Sequence, residues 1–265
     1  MSCAIVVTVS ACGGFFLKKR VQDLRSPDAH KRQRAIDAIV GDGGGNRIIE
    51  DIAEVLKDDF PEIRIAAIEC LARLKDENTI PHLLNMENDT NKDVRRAMVV
   101  GFAYFGQRGI PELNELMSHG HKEDIRAYAA WTLGQIGDSA VFDSLKAVLL
   151  NDRAPDIVRA GAARAIGCLK HPEAQNLLLK VVDDESVPST ARCGAADGLV
   201  ANYGSAHDNP ASPTLDRLRG SASEEAARYC AAKAYAELYE PTNLGRYCKS
   251  DGFVAEDVRV IRRNF

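Results

Sequence analysis

RAYAAWTLGQIGD, residues 126–138, sets three alanines and a leucine around the only tryptophan of the chain and ends on Gly-Asp. The same frame recurs along the sequence. RQRAIDAIV starts at Arg32, RIAAIECLA at Arg64, RRAMVVGFA at Arg95, RAGAARAIG at Arg159, RCGAADGLV at Arg192 and RYCAAKAYA at Arg228. Successive arginines, Arg126 included, are 32, 31, 31, 33, 33 and 36 residues apart, and a partial copy, EDVRVIRRNF, places Arg259 a further 31 residues on. An internal period of this length is the signature of a repeat architecture.

The columns of the repeat have a physical order. Three residues after the arginine stand Ala35, Ala67, Met98, Ala129, Ala162, Ala195 and Ala231. Six after it stand the small residues Ala38, Cys70, Gly101, Thr132, Ala165, Gly198 and Ala234. Seven after it come Ile39, Leu71, Phe102, Leu133, Ile166, Leu199 and Tyr235, all large and apolar. Offsets of three, four and seven share one helical face. Small residues there let helices approach closely while the large ones fill the gaps.

A shorter apolar helix separates each pair of arginine helices, at 47–56, 80–86, 110–117, 140–150 and 172–182, with 15–28 as the first copy. Pro81, Pro111 and Pro172 read as first-turn prolines, whose missing N–H had no helical acceptor. Neither helix of a unit can bury its face alone, so the units must stack. The reading is an all-α fold: an α-solenoid of about seven helical hairpins over 15–240. An apolar extension over 1–14 precedes it, and a cap over 241–265 carries the partial eighth repeat.

Composition agrees. A chain of 265 residues can bury a large core, and aromatics are only 6 %, which favours helix-on-helix packing. The net charge of −4 argues against a nucleic-acid partner, whose binders carry a basic face. Seven cysteines occur with no CxxC; Cys70, Cys168, Cys193 and Cys230 fall in alanine-rich helical runs, where a thiol packs as a small apolar residue. That usage predicts a reducing, cytoplasmic setting. The uncharged run 3–17 precedes Lys18-Lys19-Arg20 instead of following a basic start, unlike a signal peptide, and it is shorter than the about 20 residues of a membrane span. It reads as a structured or partner-covered extension, the alternative being a cleaved or membrane-attached segment.

The pattern VRxxAAxALGxxGD, met best by IRAYAAWTLGQIGD, resembles the short HEAT-like repeats of the phycobilisome-lyase type over about 15–240. The resemblance implies the fold. It also implies that each arginine bonds an acid of the preceding turn, with Asp93, Asp124 and Asp156 as candidates, and that offsets two, five and nine line a concave surface. There the sequence places Val100, Tyr104, Tyr128 and Trp131, bordered by Arg73, Gln135 and Arg164. Aromatics beside arginine have the composition of an interface hot spot. The bland alternative is that Trp131 is tucked against the next repeat.

Signals for chemistry are few. The deoxyhypusine hydroxylases, also HEAT-built, hold iron with His-Glu pairs, and no His-Glu dipeptide occurs. His119, His121, Glu123 and Asp124 share one turn but lack a companion CxxC or HExxH, so a solvated turn is the better reading than zinc. GDGGGN (41–46) lacks the Gly-Lys-Ser/Thr ending of a phosphate loop. A HEAT-like DNA glycosylase would need a cationic groove. The expectation is therefore a non-enzymatic scaffold or adaptor that takes a protein or peptide in its concave groove and carries no cofactor or metal. The alternative is a phycobilin-lyase-like protein that attaches or detaches a bilin on a partner.

Overall fold

The computed structural model describes residues 16–43, 46–203 and 213–216. The extension over 1–14, most of the loop at 202–213, the copies at Arg228 and Arg259, and the cap over 241–265 lie outside the described residues. The chain divides into two compact units, Met1–Phe105 and Gly106–Phe265.

The first unit holds α1 (16–24), α2 (Ala29–Gly41), α3 (Asn46–Ala53), α4 (Pro61–Leu74), α5 (Ile80–Leu84) and α6 (Lys92–Gly101). The second holds α7 (Ile110–His119), α8 (Glu123–Ile136), α9 (Phe142–Leu150), α10 (Asp156–Cys168), α11 (Ala174–Asp183) and α12 (Ser189–Tyr203). No strand occurs among the described residues. In each unit, long arginine helices alternate with the shorter ones and stack as successive hairpins, the organisation of an α-solenoid. Pro81 and Pro111 do open α5 and α7, and Pro61 opens α4. Pro172 instead lies in the turn ahead of α11.

The apolar columns fill the core. Ile39, Leu71, Phe102, Leu133, Ile166 and Leu199 are completely buried. The small columns set the spacing between arginine helices. A Cβ built on Gly134 would stand 2.5 Å from the Ala165 Cα, and one on Gly161 would stand 2.8 Å from the Ala127 carbonyl oxygen. Gly194 meets the Ala160 carbonyl at 2.5 Å in the same sense, and Gly198 meets that of Ala163 at 2.7 Å. Contacts that advance together along both helices of each pair mean that α8, α10 and α12 run parallel, backbone against backbone.

The Gly-Asp ending is a two-part turn. Gly43, Lys75, Gly106 and Gly137, each eleven residues after its arginine, have φ of 83°, 56°, 60° and 74°. Three of the four are glycine, the residue that tolerates this region without a Cβ penalty. One residue on, Asp76 accepts from the Asn78 N–H and Asp138 from the Ala140 N–H, both at 2.9 Å, capping the next short helix.

The repeat arginines do not follow the resemblance. Arg126, Arg159 and Arg192 each donate Nε to a carbonyl at the end of the preceding short helix, those of Met117, Leu149 and Val182, at 3.1, 2.9 and 3.0 Å. Arg32 donates to Ser26 and Pro27 carbonyls and Arg95 to those of Asp89 and Thr90. The bonds of Arg126, Arg159 and Arg192 satisfy acceptors that a helix end leaves open; those of Arg32 and Arg95 tie down the turn that leads into the arginine helix. The acid that Arg64 grips is Asp89, two-pronged at 2.7 and 2.9 Å, in the following inter-hairpin turn instead of the preceding one.

The cysteines divide. Burial pushes the Cys70 thiol up to about 12, which leaves it unreactive as a thiolate. Cys168 and Cys193 are disulfide-bonded, not apolar spacers as their surroundings suggest. No helix among the described residues is long and apolar enough to cross a membrane.

Candidate functional site

The ridge inferred from the repeat is distributed over both units: Arg73, Val100 and Tyr104 belong to the first, Tyr128, Trp131, Gln135 and Arg164 to the second.

In the first unit Val100 is buried, with 3 % of its surface exposed, because α6 packs against α4 along this seam. Arg73 and Tyr104 are half-buried. The Arg73 guanidinium reaches across to Asp37 of α2 at 2.8 Å and lies 3.8 Å from Glu69 on its own helix. Glu69 occupies the same fifth offset as Val100 and is itself buried.

In the second unit Trp131 is 8 % exposed, which corrects the expectation of a solvent-facing indole. The α8 helix is packed between α7 and α10, and Ile125, Ala127, Ala129, Ala130, Thr132, Leu133 and Gly134 are buried with it. When neighbouring helices approach through glycine and alanine, a large side chain on the flank of the contact is covered. Tyr128, Gln135 and Arg164 stay half-exposed. Gln135 donates Nε2 to the Cys168 sulfur of α10 at 3.7 Å, and Arg164 donates Nε to Asp197 of α12 at 2.9 Å. The ridge thus works first as a ladder of bonds between neighbouring repeats. Three of its side chains remain half-exposed, and the Arg164 guanidinium has donors beyond the one given to Asp197.

Sequence reasoning missed the meaning of Gly161 and Gly194. Both stand two residues after their arginines, a column read as surface, yet they touch the carbonyls of the adjacent helix. Two glycines in one column of consecutive repeats was the available signal.

Elsewhere the polar groups are structural or solvated. His119 is largely exposed and lies 3.2 Å from Glu115, and His121 and Glu123 are exposed. Among the described residues no group of three or more His, Cys, Asp or Glu is placed to hold a metal. The Asp28 carboxylate, bonded by the His30 N–H, and the Asp184 carboxylate, bonded by Ser186, are held below the usual range; both cap turns. An open cleft of about 480 Å³ between α9 and α11 is lined by Lys146, Leu150, Glu173, Leu177, Lys180 and Val181 among others. His171 stacks on Phe142 beside it, with ring centroids 3.7 Å apart.

A family model described as HEAT repeats matches residues 17–97 and 80–167. The phycocyanobilin lyase subunit beta of Pseudanabaena tenuis is 28 % identical over 142 residues, 54 % of this chain and 50 % of that protein. The chain therefore spans about half the length of this curated relative. Among solved structures, the complex of CpcE and CpcF of phycocyanin lyase from Nostoc sp. aligns with a TM-score of 0.50 at 24 % identity, over 60 % of this chain and 99 % of the matched chain.

Proposed function

The chain belongs to the HEAT-repeat family, and from that premise we propose that it acts by holding a protein partner or peptide on the exposed faces of its repeats. The observation that carries this reading is the half-exposed row Tyr128, Gln135 and Arg164. These side chains project from α8 and α10, helices whose separation is locked by glycine and alanine contacts. Rigid helices hold contact residues with little entropy left to lose on binding. Tyrosine and arginine are the residues that anchor interfaces. Arg73 and Tyr104 offer the same chemistry in the first unit.

Pull-down from the source organism, followed by titration of the purified partner, tests the proposal. Tyr128→Ala and Arg164→Ala should each weaken capture by at least tenfold while the melting temperature stays within a few degrees of wild type. Retained affinity in both variants removes this row from the interface.

A second reading is favoured by the likeness to a phycocyanobilin lyase subunit: a protein that handles a bilin together with a partner chain. Mixing the purified protein with phycocyanobilin, alone and with a second lyase subunit, distinguishes the two. A red-shifted absorbance band supports the bilin reading; an unchanged spectrum in both mixtures leaves the scaffold reading.

A further inference from the structure

Three of the turns that follow an arginine helix share one construction. Asp76, Asp138 and His171 each stand twelve residues after their arginine. At its own carbonyl each accepts the backbone N–H three residues on, from Thr79, Val141 and Ala174 at 3.0, 3.2 and 3.1 Å. At its side chain each accepts the N–H two residues on. Asn78 donates to Asp76 and Ala140 to Asp138, both at 2.9 Å, and Glu173 donates to the His171 Nδ1 at 3.3 Å. An imidazole therefore stands where the other two turns use a carboxylate. Gln107, at the same position, donates to Asp138 instead.

The exchange of residue type brings a proton into play. A carboxyl group keeps an acceptor oxygen in either charge state, whereas a ring nitrogen that takes up a proton turns from acceptor into donor. Histidine is also the side chain whose charge changes between about pH 5 and 8. The ring is held in place: it lies on Phe142 of α9, with centroids 3.7 Å apart and an interplanar angle of 10°. Lys146 of α9 sets its Nζ 5.5 Å from the centroid of that Phe142 ring and 3.4 Å from the Glu173 carboxylate. The other charged groups close by in the chain are Lys170 beside His171, Asp143 beside Phe142, and Asp138 in the turn ahead of α9. Lys146 and the N-terminal end of α11 both disfavour a second cation here; the Glu173 carboxylate favours one.

We propose that His171 is a pH-sensitive lock on the turn that starts α11. Neutral, with its proton on Nε2, the ring holds the Glu173 N–H. Protonated, it releases that N–H and takes the Glu173 carboxylate from Lys146. Both residues line the cleft between α9 and α11, so acid frees an ammonium at its wall. The lock is independent of which partner the repeats hold.

Nuclear magnetic resonance on the full chain, with 15N-labelled histidine and backbone, tests this. At about pH 8 the His171 ring should be the tautomer with Nδ1 unprotonated. As the ring titrates, the Glu173 amide proton should shift upfield with it, while the Asn78 and Ala140 amides stay in place. An Nδ1–H tautomer, or a Glu173 amide that ignores the titration, overturns the proposal. His171→Asp should restore the carboxylate turn and hold the Glu173 amide steady over the same range. The same pH response in that variant overturns the proposal too, because another group would then drive it. If His171→Asp loses helix content by circular dichroism, the tautomer and the wild-type titration decide alone.

Discussion

Trp131 carries the sharpest lesson at the scale of one residue. Its column of the repeat reads Asp37, Glu69, Val100, Trp131, Arg164 and Asp197, a mixture that looks like surface. Yet its ring is 8 % exposed. Trp131→Ala should therefore cost roughly 3–5 kcal/mol of folding stability, as truncation of a core tryptophan does, read as a lower denaturation midpoint in urea. A normal midpoint would return the indole to the surface. Lys75 runs the other way. It alone among the described non-glycine residues has a positive φ, 56°, at a position that three other repeats fill with glycine. Lys75→Gly should relieve that strain and raise stability by about 1 kcal/mol; a fall in melting temperature would show that the lysine side chain contributes more than its backbone loses.

Helix stacking was legible in the sequence because it depends on side-chain size at fixed intervals. The alanine and glycine columns gave the parallel packing of α8, α10 and α12, and the large apolar columns gave the core. Two glycine substitutions separate packing from propensity. Gly134→Ala presses a methyl group into the Ala165 backbone and should destabilise by about 1–3 kcal/mol. Gly41→Ala, at the end of α2 with nothing within 4 Å of the new Cβ, should be neutral or stabilise by up to about 1 kcal/mol. Equal effects in thermal melts would mean that helix contacts are looser than drawn. What the arginines bond was not legible, since a backbone carbonyl leaves no mark in the sequence. The same holds for the ridge: exposure at offsets five and nine depends on how closely the next helix lies, which the repeat pattern fixes only through the glycines of the neighbouring unit. Tyr128, Gln135 and Arg164 survive as candidates, whereas Val100 and Trp131 went to the interior for that reason.

For the whole molecule, the two disulfide-bonded cysteines and the direction of the arginine bonds matter most. If the disulfides at Cys168 and Cys193 brace the fold, dithiothreitol should lower the melting temperature in calorimetry, by an amount equivalent to about 2–4 kcal/mol. An unchanged transition would show that the fold does not draw on them. The arginine bonds have a different consequence, in the order in which the chain is made. Arg126, Arg159 and Arg192 reach back only nine or ten residues, to Met117, Leu149 and Val182. Each seals a helix that has already been translated. At about 5–20 residues per second, loops of that size close far faster than the next codon is read, so these hairpins lock one behind another as they leave the ribosome. Arg64 likewise reaches back, to the carbonyls of Asp58 and Asp59, but its second partner, Asp89, lies 25 residues downstream and follows roughly 1–5 s later at that rate. During that interval its hairpin is held on one side only, and a nascent-chain chaperone or a stalled ribosome would meet the protein there.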